Sequence, residues 1–384
     1  MHLDKKSTYI WLVNKDYWSL KMKAAVLFET KKPLVIKDIS LRAPTRKEVL
    51  IRTAASGLCH SDLHFIDGDL PYPLPVVLGH EASGIVEMVG DEVTYLQPGD
   101  HVISCLSVFC GVCNNCTSGR TNICTDEQVK MLPGQTKRLL WDRPEQLHTG
   151  MNLSGFAENM LVHENALVKI RKDMPLDKAA LIGCSIITGY GAIVNTAKVK
   201  AGETVVILGC GGIGMAAVNT AYVAGAERII AIDTNSEKLK LASKLGATDL
   251  VNPTDGDAVE QVKDITNGGV EKSIECLGLK ATAEQCFEML KMGGTATIVG
   301  LLPHGVSIEV NGLDLSRERR LQGSWMGSNR FRVDMPRIIE LYLQGRLKLD
   351  EWITKKIGLD QINEGFDLIR KGSGMRSVID FNVN

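Results

Sequence analysis

Between residue 22 and about residue 183 the chain is a succession of short apolar runs. Glu48-Val49-Leu50-Ile51-Arg52 and Gly84-Ile85-Val86-Glu87-Met88-Val89 are examples, and turn residues such as Gly90 and Pro98-Gly99 cut them at close intervals. Short β-type runs with frequent breaks predict strands, and so many of them predict a partly open barrel or sandwich. After Gly202 the rhythm changes. Apolar, β-branched runs at 204–208, 228–232, 249–251, 272–276 and 295–299, with a sixth near 320–325, alternate with helical patterns such as 236–245, which Gly246 stops. Strand–helix alternation of this kind predicts a doubly wound parallel sheet. A helical pattern at 334–345 and a last β run at 377–381 predict a return to the first unit. The expected fold is α/β: an extension over 1–22, a β-rich domain over 23–185, a parallel-sheet domain over 186–325 and a closing segment over 326–384.

Composition narrows the class. A chain of 384 residues is long enough for two cores, and a net charge of −1 gives no basic stripe for nucleic acid. In the extension, the apolar run from Tyr9 to Val13 is too short for a signal-peptide core, and nothing approaches a membrane span. The first 22 residues are expected to be poorly ordered. Ten cysteines in a chain of this size, several at C-x2-C spacing, point to metal ligation in a reducing compartment, and the cytoplasm is expected.

The cysteine arithmetic is that of two zinc sites. Cys110, Cys113, Cys116 and Cys124 fall within one short stretch, and four thiolates from a single loop close a tetrahedron with no open position, which suits a structural ion. Cys59, His80 and Cys184 are far apart in sequence. Three mixed ligands converging from separate elements leave a fourth position free, as a catalytic zinc requires.

A glycine loop, Gly209-Cys210-Gly211-Gly212-Ile213-Gly214, follows the run at 204–208 and opens a helical pattern that continues to Ala224. Glycines there let a pyrophosphate approach helix N–H groups. Asp233 comes nineteen residues after Gly214, where a carboxylate would accept from ribose hydroxyls and repel a 2′-phosphate. With no arginine at Thr234 or Asn235, NAD is favoured over NADP, and Lys238 is a candidate for a further ribose or phosphate contact.

In order along the chain, Gly57-Leu58-Cys59-His60-Ser61-Asp62-Leu63-His64, Gly79-His80-Glu81, the cysteine quartet, Gly183-Cys184, Thr188-Gly189-Tyr190-Gly191 and the glycine loop resemble the zinc-dependent medium-chain alcohol dehydrogenases. The resemblance covers the chain from about Met22 to its end. It implies a GroES-like catalytic domain, with a structural-zinc lobe at about 105–125, wrapped around a Rossmann cofactor domain, and reversible hydride transfer between an alcohol and NAD. On that resemblance Asp62 orients the zinc histidine, Glu81 stands behind the metal, and Ser61 passes the alcohol proton through the nicotinamide ribose to His64. His60, Thr188, Ile213, Val299, Leu301 and Arg376 fall at cofactor positions, and Leu70 and Leu106 at substrate-pocket positions. A leucine at the second pocket position favours a medium or bulky apolar alcohol. The long segment between Cys124 and Phe156 resembles members in which it borders the substrate entrance, and its length favours a homodimer over a tetramer. Two other readings are kept: a glutathione-dependent formaldehyde dehydrogenase, which needs a cation at the pocket mouth, and a zinc-stabilised binding module, which needs no nucleotide loop.

Overall fold

The computed structural model describes residues 18–130, 137–372 and 374–381. The strand Ser19–Leu27 pairs antiparallel with Val35–Arg42 from Ser19 onward. Residues 19–22, which the sequence assigns to the extension, therefore belong to the first sheet; residues 1–17 lie outside the described residues. Trp18 already packs against the apolar cluster that contains Met22, Leu41 and Leu161, and this burial draws the chain into the domain.

The β-rich part forms two sheets. The first has five strands, in the order Leu139–Leu140, Val35–Arg42, Ser19–Leu27, Val76–Val77, His148–Thr149. The long segment after Cys124 thus supplies both outer strands of this sheet, and its Trp141 stacks on Phe28. In the second sheet, Glu48–Gly57 pairs with Glu81–Val89 on one side and Arg376–Asp380 on the other, and Ile353–Ile357 follows. The C-terminal segment thus returns to the first unit.

The third sheet is wholly parallel. Its strands run Asp249–Val251, Arg228–Ile232, Thr204–Leu208, Val270–Glu275, Leu290–Ile298, Arg320–Gly323, which is the doubly wound order with the switch point at the end of Thr204–Leu208. Ligands of such sheets sit outside the carboxyl ends of the strands.

One helical run, Leu176–Ala197, joins the two parts and crosses the boundary expected at residue 185. It is long and apolar enough to cross a membrane, yet most of it is buried within this fold. A single core cluster unites Ala55, Ile103 and Val378 of the second sheet, Ile182, Ile187 and Ile193 of the helix, and Val205, Ile207 and Ile274 of the parallel sheet.

A buried ion cluster braces the first part. Glu48 accepts from Arg42 at 2.6 and 2.9 Å and from Arg138 at 2.8 Å. Burial alone would raise the Glu48 carboxyl, but the Arg42 hydrogen bonds and Arg138 outweigh it and hold it at about 2, against an ordinary 4.5. A depressed folded-state value contributes stability above the unfolded value, and that contribution is lost as pH falls from about 4.5 toward 2. Glu48→Gln should lower stability at pH 7 by about 3 kcal/mol and flatten the acid limb of a melting-temperature profile. Equal melting temperatures at pH 7 would contradict this.

Candidate functional site

The strand Glu48–Gly57 delivers Cys59 to the N-cap of the helix His60–Asp67. Gly79, at φ 96°, turns the chain so that His80 immediately precedes, and Glu81 opens, the neighbouring strand. Cys184 comes from the joining helix, within a widened π-type turn, Ile182–Ile186. Such turns shift side chains out of α-helical register and recur at functional sites. Three elements, distant in sequence, thus converge.

The donor atoms of Cys59, His80, Glu81 and Cys184 all lie within 4.8 Å of one another, and all four residues are buried. Asp62, fully buried, accepts from the Gly79 amide at 3.1 Å and faces His80 Nδ1 at 3.2 Å. A carboxylate there keeps the hydrogen on Nδ1, so Nε2 presents its lone pair to the cluster. That Nε2 is buried and has no partner.

Arg376 closes the back of the site. Its guanidinium lies 3.3 Å from Glu81 and donates to the Leu58 carbonyl at 2.9 Å. The fork also abuts the glycine loop: a Cβ on Gly212 would come within 2.6 Å of Arg376 Nη2. The hydrogen bond with Cys184, Arg376 and His80 together hold the Cys59 thiol well below its ordinary range, against the effect of burial. The same bond, with burial, pushes Cys184 up. Burial raises Glu81 to about 8 even against Arg376. Two buried thiols beside an unpartnered imidazole nitrogen make a donor set that a divalent, thiophilic cation would complete. Ligands about 2.3 Å from one zinc sit about 3.8 Å apart in a tetrahedron, a spacing this pocket accommodates.

The quartet meets the same test. Cys110 Sγ lies 3.9 Å from Cys116 Sγ, and Cys113 Sγ lies 3.9 Å from Cys124 Sγ. The amides of Val112 and Cys113 donate to Cys110 sulfur, and that of Cys110 to Cys124 sulfur, at 3.3–3.4 Å. Such bonds stabilise thiolate charge. The lobe rests on the segment after the sixth parallel strand: Asn122 donates to the Trp325 carbonyl at 2.9 Å and Thr121 to the Asn329 carbonyl at 3.4 Å.

At the switch point, the helix Gly212–Ala224 begins within the glycine loop, with Gly211 as its N-cap. A Cβ on Gly214 would lie 1.7 Å from the Gly209 carbonyl oxygen, so only glycine allows this turn. Gly211 faces open space, where a phosphate could approach. Asp233 accepts from the amides of Cys210 at 2.8 Å and Asn235 at 2.9 Å, which fixes its carboxylate beside the loop. Lys238 lies on the first turn of the helix Ser236–Lys244 and is half-buried. Thr188 is buried, with its hydroxyl 3.7 Å from the sulfur of Met326, and Val299 packs against the shared core. Ile213 is half-buried at the head of the helix, and Leu301 is 41% exposed.

Ser61 and His64 lie three residues apart on the helix after Cys59 and share one face. The Ser61 oxygen is 3.8 Å from Cys59 Sγ, and His60, exposed, meets the His64 ring edge-on at 5.1 Å. Leu70 is half-buried behind this helix, and Leu106 is half-buried against the cluster around Val86 and Val102.

Two features escaped the sequence. Glu275, at the end of its strand, is fully buried and accepts from the amides of Leu277 and Gly278 and from Thr282 Oγ1. The turn it holds places the half-exposed Leu277 over Gly209: a Cβ there would come within 2.6 Å of Leu277. Residues just past a parallel strand at the switch point are the signal that could have found both.

These features are shared. Residues 45–172 match the alcohol dehydrogenase GroES-like domain, and residues 212–343 match the zinc-binding dehydrogenase domain. An alcohol dehydrogenase class-3 from Drosophila melanogaster is 42% identical over 94% of this chain and 97% of its own length. Alcohol dehydrogenase 1 of Oryza sativa subsp. indica is 38% identical over the same shares. Among solved structures, benzyl alcohol dehydrogenase from Acinetobacter calcoaceticus superposes with a TM-score of 0.89 at 33% identity, covering 94% of this chain and 99% of that one. An alcohol dehydrogenase zinc-binding domain protein from Burkholderia ambifaria gives 0.90 at 35%, with the same coverage. The chain belongs to the zinc-dependent medium-chain alcohol dehydrogenase family. Its activity is zinc-dependent oxidation and reduction between alcohol and carbonyl, with NAD as the hydride carrier.

Proposed function

We propose that this enzyme oxidises medium or bulky apolar alcohols, and reduces the matching aldehydes or ketones, at a zinc held by Cys59, His80 and Cys184, with a second zinc on Cys110, Cys113, Cys116 and Cys124. The observation that carries this reading is the convergence of the first three buried donors beside the glycine loop, bridged by Arg376. When bound, zinc supplies Lewis-acid polarisation of a hydroxyl, and NAD supplies the hydride acceptor. The chain supplies the rest. Asp62 holds His80 in the tautomer that can ligate. Ser61, against the cluster, accepts the proton of the alcohol, and His64 on the same helix face releases it to solvent. The Gly211–Gly214 turn and Arg376 receive the pyrophosphate, and Asp233 receives the adenosine ribose. Alcohol and NAD+ thus become carbonyl, NADH and one proton. Glu81, whose carboxyl burial raises to about 8 even beside Arg376, stands as a reserve donor beside the ligands.

The half-buried Leu70 and Leu106 and the similarity to a benzyl alcohol dehydrogenase support an apolar substrate. Initial rates with benzyl alcohol, ethanol and S-hydroxymethylglutathione, each with NAD and NADP, test it. Benzyl alcohol with NAD should be preferred; turnover confined to the glutathione adduct, or to NADP, would overturn the assignment.

A histidine holds the phosphates less firmly than arginine, which is always charged and binds with two parallel donors. His60→Arg should lower the NADH dissociation constant several-fold, read by fluorescence titration; an unchanged constant would remove His60 from the phosphate site.

A homodimer is supported by the sixth strand, Arg320–Gly323, which pairs on one side only, and by the exposed Leu301, Val306, Leu313 and Leu315 just before it. Cysteines gathered at metal-ligand spacing in a chain of this size support a reducing, cytoplasmic setting.

A further inference from the structure

We propose that Asp69 is a positioning residue for the proton's exit, fixing which nitrogen of His64 is free to receive it. The inference rests on the reading of His64 as the relay base. The helix His60–Asp67 ends at Gly68, which at φ 79° adopts the left-handed conformation. The chain then folds back over the last turn: the amides of Asp69 and Leu70 both donate to the His64 carbonyl, at 2.9 and 3.2 Å. This places the Asp69 carboxylate 3.0 Å from His64 Nδ1.

A carboxylate only accepts, so the hydrogen resides on Nδ1 and the lone pair on Nε2. An imidazole without such a partner divides between two tautomers, one of which cannot take a proton at Nε2. Asp69 thereby does for His64 what buried Asp62 does for His80. The adjacent acid, Asp67, pairs with Arg370 at 2.7 Å. The Asp69 side chain is 64% exposed and the His64 ring 29%, so the pair opens on water on the side where a proton must leave. A pair this exposed contributes little to stability, which separates a positioning role from a structural one.

The test uses the full-length zinc enzyme and its Asp69→Ala, Asp69→Asn and His64→Gln variants. Asp69→Ala should lower kcat for alcohol oxidation about tenfold, a fraction of what a general base contributes. KM for NAD and for alcohol should stay within about twofold, as expected when ground-state binding is untouched. Asparagine, whose oxygen still accepts, should recover part of the rate. In a His64→Gln background Asp69→Ala should cost nothing further. In protein labelled with 15N-histidine, the His64 signal, assigned by its loss in His64→Gln, should show an unprotonated Nε2 in the parent and a tautomer mixture in Asp69→Ala. An unchanged tautomer in Asp69→Ala, or an equal loss of rate without His64, would overturn the proposal. Full activity in His64→Gln would instead remove the relay reading, while the tautomer signal would still decide what Asp69 does.

Discussion

Cys59→Ala is expected to abolish alcohol oxidation and to lower bound zinc from two ions per chain to one, while the fold persists. The substitution leaves His80 and Cys184 facing a gap in the donor set. Polarisation of the hydroxyl is worth several kcal/mol, so its loss costs about a thousandfold in rate or more. The quartet lies on a separate lobe and shares no donor with Cys59, so its ion should remain. Metal analysis by mass spectrometry and initial rates on one preparation check both halves. Retained turnover, or loss of both ions together, would refute the division into two sites.

Cys116→Ser should act in the opposite sense, removing the lobe ion and reducing stability before it touches chemistry. Cys116 is the most buried member of the quartet after Cys124, and its sulfur is 3.9 Å from that of Cys110. Losing such a cross-link compares with losing a native disulfide, about 2–5 kcal/mol, and should lower the melting temperature by roughly 3–6 °C. The lobe also supports Trp325–Ser328, where Met326 and Ser328 have positive φ. Because Thr188 touches Met326, cofactor affinity should weaken as well. An unchanged melting temperature with the zinc gone would show that the lobe folds on its peptide alone.

Much of this was legible in the sequence, and the exceptions have physical reasons. The runs at 204–208, 228–232 and 249–251 coincide with the observed strands, because buried parallel strands are continuous apolar, β-branched segments. Leu290–Ile298 begins five residues ahead of its sequence reading, since Gly293-Gly294 masks a strand that holds its place by pairing with Val270. The joining helix was invisible as a helix. Gly183, Gly189 and Gly191 weaken its propensity, yet close approach requires the latter two: a Cβ on Gly189 would lie 2.4 Å from the Ala216 side chain, and one on Gly191 2.0 Å from the Gly327 carbonyl. Metal-ligand spacing survived because it depends on residue type. The contacts of Arg376 with Glu81, and of Asp69 with His64, join residues whose chemistry is commonplace, and only the fold shows them as partners.

The most direct test of the two-zinc account is anomalous scattering from crystals measured on either side of the zinc edge. Two peaks per chain are expected, one among the four lobe sulfurs and one about 2.0–2.3 Å from Cys59 Sγ, His80 Nε2 and Cys184 Sγ. A single peak in the lobe, with those three donors bare in fully active protein, would contradict it.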